Sequence, residues 1–102
     1  MEAIVADHRS ELAELCRRYR VARLELFGSA AGDRFDPARS DLDFLVEFLP
    51  LAANEHADAY FGLRESLEAL YRRSIDLVMT KAIRNRYFLQ QIKPTRTVMY
   101  AA

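Results

Sequence analysis

Leu26-Phe27-Gly28-Ser29-Ala30-Ala31-Gly32-Asp33, followed closely by Ser40-Asp41-Leu42-Asp43-Phe44-Leu45-Val46, is the stretch around which the chain is organised. An apolar run ends at a Gly-Ser turn, a short polar connection follows, and a second apolar run opens on two acids one residue apart. A strand has a period of two, so Asp41 and Asp43 fall on one face. Two neighbouring carboxylates repel and are costly to desolvate unless a cation sits between them. A Gly-Ser turn offers free backbone N–H groups, which suit phosphate. Carboxylates for a metal beside a cradle for phosphate suggest metal-assisted nucleotide chemistry.

Working outward, Val21–Phe27 alternates, with Val21, Arg23, Glu25 and Phe27 set against Ala22, Leu24 and Leu26. This predicts a strand with one face more exposed than the other. Leu42–Phe48 predicts a second strand, with Leu42, Phe44, Val46 and Phe48 on an apolar face and Asp41, Asp43, Leu45 and Glu47 opposite. Pro50 stops it. Before these, residues 4–19 predict a helix with Leu12, Leu15, Cys16 and Tyr19 as its buried stripe. After them, Ala57–Arg72 predicts a helix buried through Tyr60, Leu63, Leu67, Leu70 and Tyr71. Ser74–Met79 predicts a third strand, Lys81–Ile92 a last helix ended by Pro94, and residues 95–100 an edge strand. The order α-β-β-α-β-α-(β) gives an α/β (α+β) domain spanning 1–102, a small sheet of three to four strands flanked by helices.

The totals exclude several classes. At 102 residues, 51% apolar and 29% charged, the chain suits one globular domain and is no disordered segment. Basic and acidic residues number 15 each, but unevenly placed. Through Asp76 there are 10 basic and 15 acidic residues; beyond it stand Lys81, Arg84, Arg86, Lys93 and Arg96 with no acid. That basic segment suits phosphate, an acidic partner, or simply a solvated helix face. A zero net charge and no recognition motif argue against a nucleic-acid-binding domain. Cys16 is the only cysteine, so no internal disulfide forms, which fits a reducing cytoplasm. The acidic N-terminus leads us to expect no secretory signal, and no run approaches the roughly 20 apolar residues of a membrane span.

Asp76 is the third acid of interest. It lies in Ile75-Asp76-Leu77-Val78-Met79, where it either faces solvent or joins Asp41 and Asp43. Three converging carboxylates suit Mg²⁺, a hard cation that leaves room for substrate phosphates. Two such ions about 4 Å apart can clamp both oxygens of a phosphoryl displacement. A lone Asp-x-Asp or Gly-Ser is ordinarily just an exposed strand start or a turn; the combination carries the argument. His8 and His56 are expected as surface or capping residues and Cys16 as packing. Most of the aromatics, Tyr60, Phe61, Tyr71, Tyr87, Phe88 and Tyr100, are expected on helical stripes, in the core or facing a partner.

Leu26-Phe27-Gly28-Ser29, Ser40-Asp41-Leu42-Asp43-Phe44-Leu45-Val46 and Ile75-Asp76-Leu77-Val78, in that order, resemble the nucleotidyltransferase superfamily of the DNA polymerase β type. More narrowly the chain resembles the minimal nucleotidyltransferases (MNT), antitoxins of HEPN/MNT toxin–antitoxin pairs. The resemblance covers nearly the whole chain and implies the polymerase β-like fold. It implies that Asp41, Asp43 and Asp76 bind Mg²⁺ and carry catalysis, and that Gly28 and Ser29 hold the phosphates of ATP. The implied reaction is transfer of AMP to a tyrosine of a partner HEPN ribonuclease toxin; the alternative is an antitoxin that neutralises by binding alone. The chain departs from the family at Ala30 and Ala31, where many members carry Arg, leaving Arg34 or Arg39 to supply that charge. At 102 residues no second domain for a small-molecule acceptor is expected, and a partner protein is expected to complete the site.

Overall fold

The computed structural model describes residues 8–27, 42–79 and 97–102. Within them the order is α1 (Arg9–Arg18), β1 (Val21–Phe27), β2 (Leu42–Phe48), a 3-10 turn (Ala53–Glu55), α2 (His56–Tyr71), β3 (Ile75–Met79) and β4 (Thr97–Ala101). The expected helix over Lys81–Ile92 and the first residues of the expected helix 4–19 lie outside the described residues. The sheet is mixed and four-stranded, in the order β3-β2-β1-β4. β1 pairs antiparallel with β2 and with β4, and β2 pairs parallel with β3. The expected fold class and the edge position of the last strand are both present.

Both helices pack on one face of the sheet. α1 contains no β-branched residue, and its Leu12 and Cys16 are fully buried. α2 buries Leu63, Leu67 and Tyr71. These join Leu24, Leu26, Leu42, Phe44, Val46, Ile75 and Leu77 in one core. Each fully buried Leu or Phe contributes about 1.5–3 kcal/mol of transfer free energy. The two helices cross at Gly62, where Tyr19 of the α1 terminus lies against the α2 backbone and its hydroxyl meets Ser66 Oγ at 3.2 Å.

Each helix is stopped by an arginine in the left-handed region, Arg20 (φ 60°) and Arg72 (φ 55°). This conformation ends a helix by turning the chain away from its axis. Arg20 then fastens the adjoining loops: its carbonyl accepts from Leu49 N at 2.8 Å and its guanidinium donates to Glu55 Oε2 at 2.9 Å. Among the described residues no helix is long and apolar enough to cross a membrane.

One expectation about β1 is corrected. Alternation groups Val21 with Arg23, Glu25 and Phe27 on a single face, one face being the more exposed. A register irregularity between Val21 and Arg23 instead places Val21 in the core with Leu24 and Leu26. An inserted residue reverses the side-chain alternation beyond it. Nor is the other face open: Phe27 and Glu25 on β1 and Leu45 on β2 are all buried.

Candidate active site

Parallel pairing of β2 with β3 sets Asp43 directly beside Asp76. Register partners project to the same face, and neighbouring strands lie about 4.8 Å apart. The two acids therefore stand side by side on the sheet face opposite the helices. Asp43 is half-buried on the central strand, and Asp76 is exposed on the edge strand. The residue opposite Asp43 on its other flank is Phe27, the last of β1. Gly28 and Ser29 continue directly from Phe27, and Asp41 directly precedes β2. All three lie outside the described residues.

Three features hold this register. Leu42 and Ile75, the residues before the two acids, are register partners buried in the core at 0% and 4% exposure. Leu42 N donates to Ser74 O at 3.2 Å, fixing the start of one strand to the approach of the other. Tyr60 of α2 donates its hydroxyl to Leu77 O at 2.6 Å, tying the helix layer to the residue after Asp76. A one-residue slip would send both apolar sets to the wrong face, so burial itself locks the acids together.

Like charges directly opposite one another destabilise a strand pair. A site that juxtaposes them is suited to a cation, and the donor set here is all carboxylate oxygen, the ligand type of Mg²⁺. Among the described residues no group of three His, Cys, Asp or Glu side chains gathers as a metal site. The pair is thus two of the three carboxylates named from sequence.

Sequence reasoning missed Glu25. It is the one buried charged residue among those described, 8% exposed, and it accepts from Arg23 Nε at 2.6 Å. It shares the face of Asp43 and lies two residues before Phe27. The signal available was a glutamate flanked by Leu24 and Leu26, indistinguishable in one strand from a solvent-facing residue.

The other candidates fall where bland packing puts them. His8 meets Glu11 Oε2 at 3.0 Å and sets its ring edge-on to Tyr71 at 5.5 Å. Cys16 is fully buried, and burial raises its thiol from 9.0 to about 12, so it is no nucleophile near neutrality. Tyr71 is in the core, Tyr60 and Tyr100 are half-buried and Phe61 is exposed; Tyr87 and Phe88 lie outside the described residues. His56 opens α2, and its Nδ1 is buried with no hydrogen-bond partner among the described residues. A cavity of about 380 Å³ between α1 and α2, lined by Glu11, Glu14, Leu15 and Leu70 among others, lies on the helix layer. Its one hydroxyl, Ser66 Oγ, meets Tyr19 and not a carboxylate of the lining, so the chemistry is assigned to the carboxylate pair.

Comparison with known proteins identifies the family. Residues 9–98 match the family model described as "Nucleotidyltransferase domain". A Methanocaldococcus jannaschii protein named as a protein adenylyltransferase is 34% identical over 92 residues, covering 88% of this chain and 85% of its own. A solved structure described as a minimal nucleotidyltransferase is 26% identical with a TM-score of 0.65, covering 90% of this chain and 89% of that one. A Shewanella oneidensis complex of a tri-AMPylated HEPN toxin with its MNT antitoxin matches with a TM-score of 0.65 at 18% identity, over 96% of this chain and 73% of that one. At that identity the last likeness concerns the fold. The family-model match and the adenylyltransferase relative together establish that this chain belongs to the nucleotidyltransferase domain family.

Proposed function

We propose that the chain transfers AMP from ATP to a tyrosine hydroxyl of a HEPN-domain toxin and acts as that toxin's antitoxin. The observation that carries this is the register pairing of Asp43 with Asp76, two carboxylates held side by side at the end of the sheet where β1 runs into Gly28-Ser29. The adenylyltransferase relative and the AMPylated toxin in the Shewanella oneidensis complex support the choice of AMP and of a protein acceptor.

In this proposal residues 1–102 act as one minimal nucleotidyltransferase domain in the cytoplasm. Asp41, Asp43 and Asp76 hold Mg²⁺, two ions in all. The ions supply Lewis acidity and charge neutralisation at the phosphates. Gly28 and Ser29 receive the β- and γ-phosphates through backbone N–H groups and the serine hydroxyl. Asp76, the more exposed acid, faces the acceptor and takes the tyrosine proton. The phenolic oxygen forms a bond to the α-phosphorus as the bond to the bridging oxygen breaks, and pyrophosphate leaves. Much of the acceleration is positional, since an in-line arrangement of bound reactants removes several kcal/mol from the barrier.

A second proposal is favoured by Ala30 and Ala31, which leave no cation directly after the Gly-Ser turn. Here the chain neutralises the toxin by docking, without transfer. Incubation with Mg²⁺, ATP labelled at the α-phosphate and the HEPN protein separates the two. Label on the HEPN protein that disappears with Asp43→Asn and with Asp76→Asn is expected. Absence of label, with neutralisation that survives Asp41→Asn and Asp43→Asn, would establish binding alone.

A further inference from the structure

We infer that the acceptor protein docks over the outer edge of β3, with Phe61 as its anchor. The inference rests on the transfer proposed above and concerns the direction from which the acceptor arrives. Across the sheet the order is β3, β2, β1, so Asp76 stands at the edge, Asp43 inside it, and the end of β1 beyond. Gly28 and Ser29 follow Phe27 directly in the chain and hold the leaving phosphates in that proposal. Attacking and leaving oxygens are in line at phosphorus, on opposite sides. With the leaving group on the β1 side, the nucleophile enters from the β3 side.

That edge is prepared for a side-chain surface and not for strand addition. Among the described residues no strand pairs with the outside of β3. The Tyr60 hydroxyl occupies Leu77 O at 2.6 Å, taking one of the acceptors an added strand would use. Against Tyr60 stands Phe61, ring centroids 5.1 Å apart and nearly perpendicular at 85°. Phe61 is 55% exposed, more than the other large exposed apolar residues among those described, Leu49 and Val98 at 39% and 43%. An exposed phenyl braced on a ring that is itself pinned to β3 is a preorganised anchor, little of whose ordering cost falls on binding. One turn further along α2, Arg64 and Glu68 pair at 3.3 Å, each about half exposed, and supply a polar rim. The partner that fits is a protein with an apolar pocket beside its acceptor hydroxyl.

The test uses the whole chain with its HEPN partner and four proteins: wild type, Phe61→Ala, Phe61→Glu and Val98→Lys on the opposite sheet edge. Three quantities are measured: the dissociation constant of the complex, the KM for the acceptor against kcat, and the affinity for AMP-PNP with Mg²⁺. Phe61→Glu should weaken the complex and raise the acceptor KM by about 10-fold or more, as loss of an interface anchor does. Its kcat at saturating acceptor and its AMP-PNP affinity should stay within about twofold, and Phe61→Ala should fall between. Because Phe61 is exposed, thermal melting should be unchanged. Val98→Lys should behave as wild type. Unchanged partner affinity in both Phe61 variants, or weakening by Val98→Lys alone, would overturn the docking edge. If wild type binds the partner but carries no label to it, the transfer proposal fails and the docking edge is judged on the dissociation constants alone. If wild type does not bind the HEPN protein, both fall.

Discussion

At the residue scale the consequential fact is that two acids share one register position. Asp76 is exposed and Asp43 half-buried on the face away from the helices, so the apolar core itself uses neither carboxylate. Asp43→Asn and Asp76→Asn should therefore each lower transfer at least about 100-fold, which is about 2.7 kcal/mol of barrier. In Asp76→Asn, where the replaced side chain is exposed, melting temperature should hold. A rate loss that tracked a loss of folded protein would refute a catalytic role for the pair. Each acid was legible from its strand alone, because a polar residue at a strand start stands out against an apolar run. Their adjacency was not, because parallel register joins residues 33 positions apart and no local pattern encodes it. Glu25 was illegible for a related reason: its burial depends on neighbours outside its own strand. Cys16 gives a second measurable consequence. Burial, set only partly back by Arg17, raises its thiol from 9.0 to about 12. Burial, then Cys16 and Glu11, likewise raise the Tyr71 phenol, with Arg9 opposing. A thiol raised in the folded state keeps its proton longer there than in the unfolded chain. Its contribution to stability is whole below about pH 9 and falls as pH rises toward 12. The stability difference between wild type and Cys16→Ala, from urea unfolding at pH 7 and at pH 10.5, should narrow at the higher pH. A difference that is constant or widens would contradict this.

At the element scale, what decides the structure is where an element meets another. The extents of β1 and β2 follow from composition and from the turn residues that bound them, and the structure returns both. The stripes of α1 and α2 follow from their 3.6-residue periodicity and are likewise present. Three things are not written in any single element. The irregularity at Val21/Arg23 is stabilised by burying Val21 against the helix layer, so alternation alone assigns it to the wrong face. The helix ends at Arg20 and Arg72 occupy a conformation that sequence rules reserve for Gly or Asn. The need for Gly62 appears only in the packed pair: a Cβ there would lie 2.5 Å from Tyr19 Cε1 and 3.1 Å from Cζ. Gly62→Ala should consequently destabilise despite improving helix propensity. The crowding costs about 1–3 kcal/mol and the propensity returns at most about 1 kcal/mol. Shrinking the opposing ring with Tyr19→Leu should recover part of the loss, so a double-mutant cycle by denaturant unfolding should give a coupling energy above about 0.5 kcal/mol. Purely additive losses would mean that the helices cross elsewhere.

At the scale of the whole molecule, the core and the site occupy opposite faces of one sheet. Leu12, Cys16, Leu63 and Leu67 pack under the face that carries Leu42, Phe44, Ile75 and Leu77. Asp43 and Asp76 project from the other, so the apolar burial that fixes their register makes no use of a ligand. The sheet should fold without metal and present a ready-made pair of carboxylates. Chelation should thus abolish transfer while leaving melting temperature nearly where it was. Binding to the folded state alone then adds stability by mass action. At one hundred times its dissociation constant, AMP-PNP with Mg²⁺ should contribute about 2.7 kcal/mol. For a domain of this size 1 kcal/mol moves the melting temperature by about 4–8 °C, so the shift should reach roughly 10 °C or more. Asp43→Asn and Asp76→Asn should both lose that shift, and Asp76→Asn should do so without losing its ligand-free melting temperature, since it removes an exposed donor and leaves the core intact. Val98→Lys, at the far edge of the sheet, should keep it. A shift that persists in Asp76→Asn would place the nucleotide away from the β2–β3 rim. Unfolding on chelation would mean that metal, and not burial, sets the register of the two strands.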